Sequence, residues 1–151
     1  MKTKLSLGLL SLLLATLSAP FASTCMWQPG PQDNWALFKD RFIAPEGRVI
    51  DTGNQGVAHS EGQGFALRLS LAYDDRATFE QVWDWTQANL YVRGDALAAW
   101  RWRQGGNPSV DDPNNATDGN LFIAWPLFLA AERWQEPRLR ARPGDRAGDP
   151  Q

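Results

Sequence analysis

Residues 59–72 read His-Ser-Glu-Gly-Gln-Gly-Phe-Ala-Leu-Arg-Leu-Ser-Leu-Ala, and this stretch decides the fold class. From Ser60 the spacing predicts a helix in which Phe65, Leu67, Leu69, Leu71 and Ala72 leave little polar face. A helix that is apolar nearly all round must be covered on every side, which makes it an inner, buried helix. Gly62 and Gly64 stand near its start. Each glycine costs a helix roughly 1 kcal/mol relative to alanine, and a fold accepts that cost where another group must approach the backbone closely. Glu61 is the acid of the first turn, a position favoured by the helix dipole, at the end where a cleft would open.

Downstream, Asp74 or Asp75 caps a second helix with Phe79, Val82, Trp83 and Leu90 on one face. Glu80, Gln81 and Asp84 fall on the other, so this is an amphipathic outer helix. Ala99 to Trp102 reads as a short extended piece, and residues 104–117 as a polar loop. Asp118 then opens another strongly apolar helix, Leu121 to Trp134. Upstream, Asn34 is the expected cap of a helix through Trp35, Phe38 and Phe42, followed by a structured loop over residues 44–58 around Val49-Ile50. The order outer, buried, outer, buried predicts an all-α fold with two concentric layers of helices. Residues 136–151 (EPRLRARPGDRAGDPQ) lose the apolar period and read as a disordered tail.

The 151 residues are 43% hydrophobic and 21% charged, with a net charge of −2. No basic stripe stands out, which argues against a nucleic-acid partner. Eight tryptophans with few lysines suit a surface that stacks flat, neutral, hydroxylated rings, although on composition alone a tryptophan-heavy helical core is the better reading. Lys2 and Lys4 followed by an apolar run from Leu5 to Leu17 predict an export signal over residues 1–24, too short to span a bilayer. The mature chain is therefore expected in the periplasm or outside the cell. Attachment of lipid to Cys25 is the less favoured alternative, because Thr24 and Ala22 fill the positions where such sites carry a small residue and a leucine.

Glu61 and Asp118 are carboxylates at the same end of two buried helices, with Trp100 and Trp102 between them in sequence. Either acid alone is an ordinary first-turn or capping residue. Together they suit glycoside hydrolysis, which needs one carboxylic acid to protonate the leaving oxygen and a second carboxylate to serve water or the anomeric carbon.

His59-Ser60-Glu61-Gly62-Gln63-Gly64, Ala99-Trp100-Arg101-Trp102 and Ala116-Thr117-Asp118-Gly119 resemble, in order, the successive motifs of glycoside hydrolase family 8. Arg48-Val49-Ile50-Asp51 and Asp84-Trp85-Thr86-Gln87-Ala88-Asn89-Leu90 agree with the branch encoded beside bacterial cellulose synthase. The resemblance covers about residues 33–135, read as part of one catalytic domain over 25–135. It implies an (α/α)6 barrel and hydrolysis of β-1,4-glucan, cellulose, with inversion. It implies Glu61 as general acid, Trp100 and Trp102 against the sugar, and Asp118 positioning the sugar and helping Glu61 hold its proton. Burial and neighbouring carboxylates would have to outweigh the helix dipole for Glu61 to do so. No metal or organic cofactor is implied, and a link to the cellulose synthase machinery is.

Members of that family are over twice as long, and no residue here matches their water-activating aspartate. The chain therefore reads as an incomplete N-terminal half of the barrel, with a frame change or premature stop expected near residue 137 and catalysis in doubt. A non-catalytic glucan-binding remnant is the alternative function, and chitosan or xylan the alternative substrates. Three departures fall in the predicted inner helices: Asn120 where the family usually has Asp, Pro126 inside the last helix, and Arg68 as an expected buried, unpaired charge.

Overall fold

A computed structural model describes residues 30–140. The expected signal and Cys25 lie outside the described residues. Four helices dominate, as the patterning predicts: α1 (Gln32–Phe42), α2 (Ser60–Ala72), α3 (Arg76–Leu90) and α4 (Thr117–Arg133). Two short strands, β1 (Ala58–His59) and β2 (Arg101–Trp102), pair antiparallel with Ala58 opposite Trp102 and His59 opposite Arg101.

Helix α2 lies between α3 and α4 and contributes to both contacts. Leu67, Phe79, Val82, Leu90 and Ile123 are fully buried where these three helices meet. Of the two candidate caps of α3, Asp75 does the work, accepting a hydrogen bond from Thr78 N at 3.1 Å. The same carboxylate receives Trp35 Nε1 at 3.0 Å and Lys39 Nζ at 2.7 Å, so α1 is fastened to the start of α3. Helix α1 begins two residues before the expected Asn34 cap. Pro31, whose ring fixes φ, precedes its first turn, and Asn34 N donates to Pro31 O.

Three expectations are corrected. The tail does not lose its order at residue 136: Pro137–Arg140 form a 3-10 helix and Leu139 is 7% exposed in the core. A single leucine, too short a signal for any periodicity, joins the segment to the core against α4. Residues 141–151 lie outside the described residues. Arg68 is half-buried rather than fully buried, and its guanidinium lies 5.3 Å from the Trp125 ring centroid, so it is not an isolated buried charge. Finally, α2 and α4 are not covered all round within residues 30–140. Phe65 is 45% exposed, Trp125 53% and Leu121 65%, and Phe65 and Trp125 line an open groove.

Pro126 is accommodated without ending α4. A proline at 126 cannot donate to the carbonyl four residues back, that of Phe122. That same carbonyl is one place where α2 approaches closely, because a β-carbon at Gly64 would stand 2.6 Å from Phe122 C and 2.9 Å from its O.

Candidate active site

The first turns of α2 and α4 abut. A β-carbon at Gly119 would overlap Ser60 Oγ and lie 3.1 Å from Glu61 N. Neither helix has a side-chain cap on its N-terminal residue, His59 or Ala116, and the acid of each first turn, Glu61 or Asp118, stands where the helix dipole favours it. Helix α4 opens at Thr117, one residue before the expected start, and Asp118 Oδ1 accepts from Gly119 N at 2.8 Å. Strand β2 runs beside this junction. Ser60 N donates to Trp100 O at 3.0 Å, and Trp100 N donates to Asn114 O at 2.8 Å. One residue, Trp100, therefore ties the start of α2 to the loop that leads into α4.

Glu61, Asp118 and Trp100 are thus brought to one end of the helix pair. Glu61 is exposed and lines a groove of about 900 Å³ with Asp51, His59, Phe65, Phe122 and Trp125. The burial expected around a general acid is not supplied by residues 30–140. Asp118 is also exposed. His59 stacks on Trp100 with ring centroids 5.6 Å apart, and its Nε2 lies 3.5 Å from Asp51 Oδ2. Trp102 has a different setting. Its ring meets Trp85 edge-on at 5.4 Å and the Arg48 guanidinium at 5.2 Å, and it packs against the core.

The loop over residues 44–58 is held by two side chains whose roles the sequence reading missed. Gln63 is fully buried. Its Oε1 accepts from Val49 N at 2.6 Å and its Nε2 donates to Thr86 Oγ1 at 2.7 Å, joining the loop to α2 and α3. Arg48, 5% exposed, donates to Glu46, to Gly56 O and to Gln104. The signal for Gln63 was available: a polar side chain inside an apolar helix needs internal partners. Arg48 carries no such periodic mark. A third missed group is the acidic pair Asp111 and Asp112. Hydrogen bonding from Arg101 holds the Asp111 carboxyl below its ordinary range, and the Asn114 N–H followed by the Trp100 indole does the same for Asp112.

The family model for "Glycosyl hydrolases family 8" matches residues 1–143. The chain belongs to glycosyl hydrolase family 8. A probable endoglucanase of Novacetimonas hansenii is 46% identical over 103 residues, 68% of this chain and 30% of its own length. An endoglucanase of Cellulomonas uda is 43% identical over 107 residues, 71% of this chain and 30% of its own length. Among solved structures, the family 8 endoglucanase Cel10 of Klebsiella pneumoniae superimposes with a TM-score of 0.70 at 40% identity, covering 74% of this chain and 36% of that one. The chain therefore spans about a third of the length of these family 8 relatives. The all-α, (α/α)6-type fold class stands, with α2 and α4 as neighbouring helices whose starts form one end of the layer.

Proposed function

We propose that this chain carries the acid-bearing, sugar-stacking portion of a family 8 endo-β-1,4-glucanase, with β-1,4-glucan as its substrate. The observation that supports the reading is the contact of Gly119 with Ser60 and Glu61, which sets Glu61 and Asp118 on adjoining first turns beside Trp100. In this reading Glu61 gives its proton to the glycosidic oxygen as the bond to the anomeric carbon breaks. Asp118 accepts hydrogen bonds from hydroxyls of the sugar at the cleavage point. Trp100 stacks on a sugar face, while Trp102 supports the wall from behind. Inversion requires water to attack from the opposite face and lose its proton to a second carboxylate. That role is assigned to no residue of this chain. Export by the basic and apolar N-terminal stretch, and a functional link to cellulose synthesis, belong to the same proposal.

The exposed position of Glu61 favours a second reading, a glucan-binding face that hydrolyses nothing. Reducing-end release from carboxymethyl-cellulose, measured with retardation of the chain in glucan-containing native gels, separates the two. Hydrolysis that Glu61→Gln abolishes supports the enzyme. Retardation without hydrolysis, weakened by Trp100→Ala, supports the binding face. A folded chain that does neither overturns both readings.

A further inference from the structure

The indole of Trp100 is held at its edge and contacted on its ring. Nε1 donates to Asp112 Oδ2 at 2.9 Å. The other oxygen of that carboxylate, Oδ1, accepts from Asn114 N at 3.0 Å, and Asn114 O in turn accepts from Trp100 N at 2.8 Å. Side chain and backbone of Trp100 thus close a hydrogen-bonded ring through two loop residues. The Arg101 guanidinium lies 4.4 Å from the Trp100 ring centroid. It is fixed in turn by two parallel bonds to Asp111, each 3.0 Å, and Arg103 Nε reaches the same carboxylate at 3.0 Å.

A tryptophan ring turns about two side-chain bonds, and χ2 is broad and poorly defined by sterics alone. A hydrogen bond at Nε1 selects one of its orientations. Asp112 is partly exposed, so the bond to the indole is not a by-product of full burial. We infer that Asp112 is a positioning residue: it locks the indole of Trp100 in the orientation that receives a sugar ring, so that glucan meets a platform already ordered. This rests on the reading of Trp100 as the sugar-stacking residue. Ordering one such side chain only on binding costs affinity about 3- to 10-fold, and that is the loss expected when Asp112 is removed.

The test uses the full chain and three variants: Trp100→Ala, Asp112→Ala and Asp112→Asn. Two quantities are read, retardation by carboxymethyl-cellulose in native gels and the indole N–H resonance of Trp100, assigned by its disappearance in Trp100→Ala. In Asp112→Ala the resonance shifts and exchanges faster with solvent, and glucan affinity falls about 3- to 10-fold. Asp112→Asn keeps an oxygen acceptor, and so recovers most of both. If the Trp100 resonance is unmoved in Asp112→Ala, the positioning role is overturned whatever happens to glucan. If it moves but affinity holds while Trp100→Ala loses affinity, Asp112 orients the ring without serving recognition, and the inference falls alone. If Trp100→Ala also binds glucan normally, the reading of Trp100 falls and takes the inference with it.

Discussion

Gly119 packs so tightly on Ser60 that a β-carbon at position 119 would stand 2.9 Å from the Ser60 β-carbon and overlap its hydroxyl oxygen. This contact sets the spacing of α2 and α4. Gly119→Ala gains roughly 1 kcal/mol of helix propensity but incurs an overpacking cost of about 1–3 kcal/mol. A net loss of stability is expected in urea unfolding. Among the described residues the Ser60 hydroxyl has no hydrogen-bond partner, so Ser60→Ala alone should be nearly neutral and should partly rescue Gly119→Ala. At Gly64 the obstruction is the Phe122 backbone, which cannot rotate away, so Gly64→Ala is expected to cost more than Gly119→Ala and to resist such rescue.

Gln63 is the only described side chain that bonds the 44–58 loop to α2 and α3 together, through Val49 N and Thr86 Oγ1. Gln63→Leu keeps the bulk and leaves the buried Val49 N–H without an acceptor. A loss of about 2–4 kcal/mol is expected by urea titration, the sum of one or two unsatisfied buried groups. Gln63→Glu retains the acceptor but not the donor, and pH-dependent stability should distinguish it from the leucine variant.

Asp75 is expected to contribute to the acid limb of stability. Burial pushes its carboxyl up, but hydrogen bonds from Lys39, the Thr78 N–H, Trp35 and the Thr78 hydroxyl outweigh it and bring the carboxyl down from 3.8 to about 2. A folded-state value below the unfolded one means stabilisation that is complete above about pH 4 and lost as pH falls toward 2. The side chain is 19% exposed, and the shift corresponds to about 2 kcal/mol. Thermal melts from pH 5 to pH 2 should show a shallower decline for Asp75→Asn than for the parent chain, from a lower starting stability.

Asn120 makes use of both ends of its amide. Oδ1 accepts from Ala98 N at 2.9 Å, and Nδ2 donates to Ala116 O at 2.9 Å. Asn120→Asp keeps the first bond and loses the second, for an expected loss of about 1 kcal/mol at neutral pH. Asn120→Leu strands Ala98 N as well and should lose about 1–3 kcal/mol. Equal melting temperatures for the two variants would show that the Ala98 bond contributes nothing.

The helices were legible in the sequence because apolar periodicity is a local signal, as were the Asp75 cap and the use of Gly64 for close approach. A β-carbon at Gly62, paired with it in the sequence reading, would meet only the Val49 side chain, at 3.5 Å or more, an ordinary contact. What escaped was long-range. Nothing local to Asp112 announces that it receives the Trp100 indole, and nothing local to Trp102 announces that its ring faces Trp85 and Arg48. The burial of α2 and α4 was overestimated for a related reason. Hydropathy reports that a face needs covering, not which residues cover it, and residues 30–140 leave Leu121 and Trp125 open.

The pairing of Ala58-His59 with Arg101-Trp102 has a kinetic consequence. Helices α2 and α3 are joined by a short turn and can dock early, whereas β1 meets β2 only after the chain through α3 has closed into a long loop. Contacts of that kind form late on the folding path, because loop closure must precede them. Weakening the pair, by Ala58→Gly or Trp102→Leu, should speed unfolding while leaving the refolding rate nearly unchanged. The junction that carries Glu61 would then be among the last features assembled and the first to open.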